Sequence, residues 1–290
     1  MIREVYASDG VRLAVQVEGV EGAPTVVCVH GYPDDHTVWD GVVEKLSGQF
    51  QLVTYDVRGA GESDKPMRRS AYLLDQLEAD LAAVVDAVSP DRPVHLLAHD
   101  WGSIQSWHAV TGERLRGRVA SFTSISGPCL DHAGQWIRKN LSRPTVDGTR
   151  AMLRQLICSL YIAFFHLPVI PELAWRRGWL ASGISLLKKW TGDQDGVRPA
   201  PSDGLYGLAL YRANMLPRLS RPGERRAHLP VQVLMPISDP FVSPDLQENV
   251  DWWVPDVTLC RVPGGHWLPR TQPEVVAART REFIGGVVSA

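Results

Sequence analysis

The stretch VHLLAHDWGS, at residues 94–103, constrains the fold of this 290-residue chain more than any other feature. Its apolar first half predicts a strand buried on both faces of a sheet, and the small residues after it predict a sharp turn into a helix over 102–111. Asp100 lies at that turn. A strand that turns sharply into a helix holds the residue between them in a strained conformation, with its side chain above the sheet.

This turn resembles the nucleophile elbow of the α/β-hydrolases, in the HDWG form of epoxide hydrolases and haloalkane dehalogenases. Aspartate stands where the usual pattern carries serine, and Ala98 replaces its first glycine. His99 flanks the elbow, and the resemblance gives it a structural role. On the residues alone, an Asp100 that only caps the following helix is the alternative, because aspartate is a preferred capping residue.

The rest of the chain alternates strand and helix patterns. Residues 1–18 predict a hairpin. Further strands are predicted near 24–30, 51–55, 119–125, 231–236 and 257–262. The alternation predicts an α/β fold with a mostly parallel sheet flanked by helices, which is the α/β-hydrolase fold that the resemblance implies. The predicted domains are a first part of the hydrolase core at 1–128, an inserted helical cap at 129–226, and a second part of the core at 227–290.

The tetrapeptide HGYP, which starts at His30, ends the second predicted strand region and resembles the HGxP loop of epoxide hydrolases. The resemblance implies that Tyr32 and Trp101 supply the two backbone N–H donors of an oxyanion hole. It gives supporting roles to His30, Gly31 and Pro33. Two fixed N–H groups stabilise an oxyanion without reorganising. A plain turn made rigid by proline is the alternative that the tetrapeptide alone leaves open.

Two more residues follow predicted strands near the end of the chain. Asp239 lies in ISDPFV, and His266 lies in PGGHW after the next strand. The chain order of nucleophile, acid and histidine is that of the α/β-hydrolases. Because the carboxyl ends of parallel strands meet at one edge of a sheet, we expect these two residues to lie beside Asp100. His266 is then the general base, and Asp239 is the acid that orients it.

An aspartate nucleophile can displace at a saturated carbon and form an alkyl ester on the enzyme. His266 would then activate a water that attacks the ester carbonyl. Epoxides and alkyl halides both fit this chemistry. An epoxide oxygen also needs a hydrogen-bond donor, which a phenol can supply. Tyr161 in YIAFFHLP and Tyr211 in YRANM resemble the two cap tyrosines of epoxide hydrolases.

The sequence therefore predicts an epoxide hydrolase that converts an apolar epoxide and water to a vicinal diol through an ester on Asp100. A haloalkane dehalogenase is one alternative, because the Trp101 indole N–H could hold a halide. A non-catalytic protein of the same fold that binds a small apolar molecule is another. The residues do not separate diol formation from ring closure by a hydroxyl group of the substrate.

The charge and composition of the chain limit the kinds of partner that it can bind. A net charge of -2 provides no basic field, so we expect no nucleic acid. No segment has the pattern of a signal peptide or a membrane span, and we expect a cytoplasmic protein. The histidines lack metal-ligand spacing, and the glycine-rich DVRGAGES at 56–63 lacks the ending of a phosphate loop, so we expect no metal and no cofactor. The ten tryptophans suggest an apolar cavity or lid besides core packing. The oligomeric state stays open, with a homodimer among the outcomes.

Overall fold

An eight-stranded sheet forms the centre of the structure, which is a computed structural model that describes residues 2–289. The strand order is β1-β2-β4-β3-β5-β6-β7-β8. Strand β2 pairs antiparallel with β1 and β4, and all the other pairs are parallel. The predicted mostly parallel sheet with flanking helices is therefore confirmed.

The strands of the sheet are β1 (Ile2–Tyr6), β2 (Arg12–Gly19), β3 (Thr25–Val29), β4 (Gln51–Tyr55), β5 (Val94–His99), β6 (Val119–Ile125), β7 (Val231–Pro236) and β8 (Val257–Val262). The α-helices are α1 (Asp40–Leu46), α2 (Leu74–Val88), α3 (Trp101–Val110), α4 (Leu130–Ser142), α5 (Val146–Cys158), α6 (Leu160–Phe165), α7 (Ile170–Arg176), α8 (Trp179–Thr191), α9 (Pro201–Ser220), α10 (Pro244–Gln247), α11 (Leu268–Thr271) and α12 (Pro273–Ser289). Short 3-10 helices precede α1 and α2.

Both faces of the sheet are covered, which explains why β3 and β5 are apolar without alternation. Helices α1 and α12 pack on one face, and α2 and α3 pack on the other. The chain between β6 and β7 is helical from α4 to α9, and the predicted cap at 129–226 contains all six helices. Within the described residues, no helix combines the length and the apolar character that crossing a membrane requires.

The buried Arg58 connects the loop after β4 to two other parts of the core. Its guanidinium donates two hydrogen bonds to the Asp80 carboxylate of α2, both 2.5 Å, and two, of 2.9 and 3.1 Å, to Asp9 in the hairpin turn. The neighbouring Val57 N–H donates to Nε2 of His30 at 2.9 Å. The loop at 56–63 therefore supports the segment that starts at His30.

Replacing Arg58 with methionine is expected to lower the free energy of unfolding by about 3 kcal/mol, because the Asp80 carboxylate is left buried without its partner. Urea denaturation measures this loss. Arg116→Met is the matched control, since the Arg116 side chain is 66% exposed, and it should change stability by less than about 0.5 kcal/mol. Equal stabilities of the two variants would show that water or a proton compensates Asp80.

Candidate active site

Asp100 lies between β5 and α3 in a conformation that side-chain-bearing residues rarely adopt, with φ 52° and ψ −123°. Its carbonyl accepts the first helical hydrogen bond from the Ile104 N–H at 3.0 Å. Its carboxylate makes no capping hydrogen bond to α3. The alternative of a simple helix cap is therefore wrong, because the side chain points to other partners.

The Asp100 carboxylate faces the loop that starts at His30. The Tyr32 N–H donates to Asp100 Oδ1 at 2.6 Å. The Trp101 N–H lies on the same side and acts to lower the pKa of this carboxyl. A side chain at Gly31 would overlap the Asp100 side chain, so only glycine permits this close approach. The two predicted oxyanion donors thus converge on the predicted nucleophile.

The predicted supporting residues hold this loop in place. The Val57 N–H donates to Nε2 of His30, so the His30 proton lies on Nδ1, which donates to the Gly31 carbonyl at 2.9 Å. The peptide bond before Pro33 is cis, and Pro33 lies in the wall of the cavity beside Asp100. The Tyr32 hydroxyl donates to the Gly204 carbonyl of α9 at 2.9 Å, so the same loop also anchors helix α9.

His266 lies between the two predicted acidic residues. Its Nδ1 is 3.0 Å from Asp239 Oδ2, and its Nε2 is 3.7 Å from Asp100 Oδ2. The other oxygen of Asp239 accepts hydrogen bonds from the N–H groups of Phe241 and Val242 at 2.8 and 3.1 Å. The Asp239 carboxylate is therefore fixed, and it directs Nε2 of His266 towards Asp100.

Burial and charge set the protonation of this pair. Burial raises the pKa of Asp100 to about 6, against the opposing effects of the His266 charge and the two N–H donors. Burial alone would lower the pKa of His266, but the carboxylates of Asp239 and Asp100 outweigh it and raise that pKa to about 9. Near neutral pH the resting site therefore holds an imidazolium beside a carboxylate.

The backbone of His266 is held from both sides. Its N–H donates to Oδ2 of Asp193 at 3.0 Å, and its carbonyl accepts a hydrogen bond from Nε2 of His99 at 2.8 Å. Burial holds the pKa of His99 well below its usual range, so this ring is neutral. A side chain at Gly265 would overlap the Asp193 carboxylate, which explains the glycine before the histidine.

Asp193 lies in the segment after α8 and was missed by the sequence analysis. It is 2% exposed, although it lies 73 residues before His266 in the sequence. The glycine at position 265 was the one local feature that indicated a close contact. It does not identify the side chain that makes this contact. The structure thus adds a buried carboxylate to the candidate site.

A cavity of about 230 Å³ opens above Asp100. Tyr161 and Tyr211 lie in its wall together with Asp100 and His266, and their two rings meet edge to face at 5.8 Å between centroids. Burial, reinforced by the Asp100 charge, raises the pKa of both phenols above the usual range. Both hydroxyls therefore stay protonated at neutral pH and can donate. The rest of the wall is apolar and includes Phe164, Phe165, Leu180, Ile184, Leu187, Phe241 and Trp267.

A second cavity of about 80 Å³ lies against Asp100 and shares Tyr161 and Phe241 with the first. The tryptophans at 129–226 do not line the larger cavity. Of these, Trp136 borders the smaller cavity, Trp175 is buried in the core, and Trp179 and Trp190 are exposed. Aliphatic and phenylalanine side chains supply most of the apolar wall instead.

The indole N–H of Trp267 in the cavity wall has a partner within the protein. It donates to Asp34 Oδ2 at 3.1 Å, so it is not free to hold a halide in this arrangement. The ring of Trp101 packs edge to face against Tyr211, with 4.9 Å between the ring centroids.

Asp75, Glu78 and His108 are the one group among the described residues whose ligand atoms lie close enough together for a metal, within 4.8 Å. His108 lies about two turns along α3 from the elbow, outside the site. Asp75 Oδ1 already accepts hydrogen bonds from His108 at 2.7 Å and from Arg218 at 3.3 Å. The cluster is a hydrogen-bond network between α2, α3 and α9.

Two known proteins are similar to this chain over nearly its whole length. A Mycobacterium tuberculosis protein named probable oxidoreductase EphD is 38% identical over 294 residues, which cover 98% of this chain and 49% of that protein. The chain thus spans about half the length of this relative. The AB hydrolase superfamily protein YfhM of Bacillus subtilis is 25% identical over 297 residues, covering 96% of each chain.

A solved structure supports the fold. The epoxide hydrolase of Bacillus megaterium in complex with an inhibitor superposes with a TM-score of 0.78 at 21% identity, covering 98% of this chain and 100% of that chain. The family described as alpha/beta hydrolase fold matches residues 24–269, which extends from the start of β3 to α11. With this match over most of its length, and with the elbow, sheet order and triad order in place, the chain belongs to the α/β-hydrolase fold family.

Proposed function

We propose that this chain hydrolyses an epoxide to a vicinal diol through an ester on Asp100. The observation that carries the proposal is one cavity bounded by the Asp100 carboxylate, His266 and the phenols of Tyr161 and Tyr211. A nucleophile, a base and two protonated donors are the groups that this reaction needs. Solved structures of the same fold named epoxide hydrolases support the proposal.

In the first step, Oδ2 of Asp100 attacks a ring carbon, since Oδ1 is engaged by the Tyr32 N–H. A carbon–oxygen bond forms on Oδ2 while the ring carbon–oxygen bond breaks, and its electron pair moves to the ring oxygen. That oxygen takes a proton from Tyr161 or Tyr211. The proton held by the His266 imidazolium then restores the phenol, which leaves His266 neutral.

In the second step, His266 removes a proton from water, and the hydroxide oxygen adds to the Asp100 carbonyl carbon. The N–H groups of Tyr32 and Trp101 stabilise the charge on Oδ1. Collapse breaks the bond between that carbon and Oδ2, and the departing alkoxide takes the proton from His266. The second proton of the water, left on the Asp100 carboxyl, then passes to His266 and restores the carboxylate and the imidazolium. One oxygen of water therefore remains on Asp100, and the diol carries the former Oδ2.

The cavity wall also indicates the substrate class. Apart from the catalytic groups, the side chains around the 230 Å³ cavity are aromatic or aliphatic. Such a wall favours an apolar epoxide, because polar substituents would lose their hydration without gaining partners. We propose that residues 129–226 act as the cap that supplies this wall.

The two alternative functions fit the site less well. A dehalogenase needs free donors for the halide, whereas the Trp267 indole N–H in the cavity wall donates to Asp34. A binding protein without activity would not need His266 to be oriented between two carboxylates.

A single turnover of styrene oxide in heavy-oxygen water, with enzyme in excess, tests the proposal. We expect a diol of ordinary mass and heavy oxygen in the peptide that contains Asp100. Enzyme incubated without epoxide is the control, and its peptide should stay unlabelled. Heavy oxygen found directly in the diol would overturn the ester route. If the protein hydrolyses none of a panel of epoxides but releases halide from bromoalkanes, the dehalogenase would be favoured.

The rate of ester formation should depend on pH through Asp100. Because burial raises the pKa of Asp100 to about 6, the rate should fall about tenfold for each unit below pH 6, as the carboxylate takes up a proton. His266→Gln removes the neighbouring positive charge, which raises the pKa of Asp100. The fall in the rate of ester formation should therefore begin at a higher pH. Rapid-quench measurement of the ester provides the profile. A pH profile of the variant that is unchanged, or that falls only at lower pH, would contradict the effect of the His266 charge on Asp100.

Asp193 is expected to act as a positioning residue for the second step. Asp193→Ala removes the acceptor for the His266 N–H and should slow ester hydrolysis by about tenfold to a hundredfold, while ester formation changes little. The ester then accumulates in the steady state, which intact-protein mass spectrometry detects. Asp193→Asn keeps an acceptor oxygen and should restore most of the rate. Equal slowing of both steps would indicate a general loss of structure.

A further inference from the structure

The surface of the cap region carries an unusual share of the exposed apolar side chains. Thirteen of the 23 large hydrophobic residues that are exposed in the described chain lie between Leu141 and Trp190, about a sixth of its length. Ile157 is 69% exposed and Trp190 is 83% exposed. A soluble surface rarely concentrates apolar side chains in this way without a partner.

The same segment is strongly basic. Residues 138–190 contain nine lysines and arginines but only two acidic residues, Asp147 and Glu172, although the whole chain has a net charge of -2. Of these cations Lys188 is buried, and the other eight are exposed. The acidic charge that balances them therefore lies elsewhere on the molecule.

Helix α5 presents apolar and basic side chains on one face. Arg150, Leu153, Arg154 and Ile157 are all exposed, and their spacing of three and four residues places them side by side. Gln155 lies on the opposite side and is buried. This is the pattern of an amphipathic helix that lies in a lipid headgroup region, with cations beside the inserted apolar groups.

Helix α8 has the same character and also borders the active site. Trp179, Leu186 and Trp190 are exposed at spacings of seven and four residues, so they form a stripe along the helix, with Lys189 exposed at its end. The adjacent Leu187 lies in the wall of the 230 Å³ cavity, as do Leu180 and Ile184. One side of α8 therefore faces the proposed substrate and the other faces outward.

We propose that the outer face of the cap, defined by the exposed side chains of residues 138–190, docks on an anionic lipid bilayer. The tryptophans and aliphatic side chains enter the headgroup region, and the eight cations contact lipid phosphates. An apolar epoxide dissolved in the bilayer then lies next to the helix that lines the cavity. A second copy of the chain fits this face poorly, because a symmetric dimer would bring the same cations together.

Flotation with lipid vesicles tests the docking without any substrate. We expect binding to vesicles of phosphatidylcholine mixed with phosphatidylglycerol, weaker binding at high salt, and little binding to phosphatidylcholine alone. Arg150→Glu with Arg154→Glu should weaken binding by about thirtyfold or more. Trp190→Ser should weaken it by about tenfold.

Matched controls lie on other surfaces of the protein. Trp252 is 73% exposed outside the cap region, so Trp252→Ser should leave binding within about twofold. Arg116→Glu with Arg279→Glu reverses two exposed cations there as well. Protein that stays with the buffer, or equal loss in the cap and control variants, would overturn the proposal. So would a dimer in analytical ultracentrifugation that Trp190→Ser dissociates.

An activity measurement, which rests on the proposed function, tests substrate entry. The Trp190→Ser variant should hydrolyse a short water-soluble epoxide at the normal rate but a long-chain epoxide in anionic vesicles about tenfold more slowly. Equal rates on both substrates in a protein that floats would show docking without a role in substrate entry. A lack of activity on the soluble epoxide in the unmodified protein would count against the proposed function alone, since flotation does not depend on it.

Discussion

His266→Gln is expected to stop the reaction after ester formation, so that each enzyme molecule consumes one epoxide. Attack by Asp100 needs no base, whereas hydrolysis of the ester needs Nε2 of His266 to activate water. Steady-state turnover should fall by more than about ten-thousandfold. Mass spectrometry of the intact protein should show the added mass of one substrate.

Two control variants test whether this result is specific to His266. Asp100→Ala should show neither turnover nor added mass, because the attacking oxygen is gone. His228→Gln changes an exposed histidine outside the site and should behave as the unmodified protein. An His266→Gln protein that still turns over, or that gains no mass while Asp100 is intact, would contradict the proposed roles.

The position of the site could be predicted because its signals are local. The apolar pattern of β5 followed by small residues predicts the turn at Asp100. Similar patterns predict that Asp239 and His266 follow β7 and β8. Because the carboxyl ends of parallel strands meet at one edge, three short patterns distant in sequence become one site. Nε2 of His266 lies 3.7 Å from Asp100 Oδ2 in the structure.

The contacts made by the helices between β6 and β7 could not be predicted from the sequence. The periodicity of a helix indicates which of its sides is buried. It does not indicate which part of the chain packs against that side. Asp193 follows α8 with no motif around it, yet it is hydrogen-bonded to the backbone of His266. The number of tryptophans suggests an apolar cavity or lid, but it does not show that Trp179 and Trp190 on α8 are exposed. Both outcomes depend on how α8 is oriented against the core, which is a long-range property.

Removing both cap phenols is expected to prevent ester formation. In Tyr161→Phe with Tyr211→Phe, no hydroxyl remains to protonate the ring oxygen, and the rate of ester formation should fall by about ten-thousandfold. Each single variant should lose only about tenfold to a hundredfold, because the other phenol still borders the same cavity. Tyr206→Phe, on α9 with Tyr211 but outside the cavity wall, is the matched control. Rapid-quench measurement of the Asp100 ester separates this step from hydrolysis. A double variant within about tenfold of the unmodified protein would show that another donor serves the ring oxygen, and the argument for an epoxide over a halide would fail.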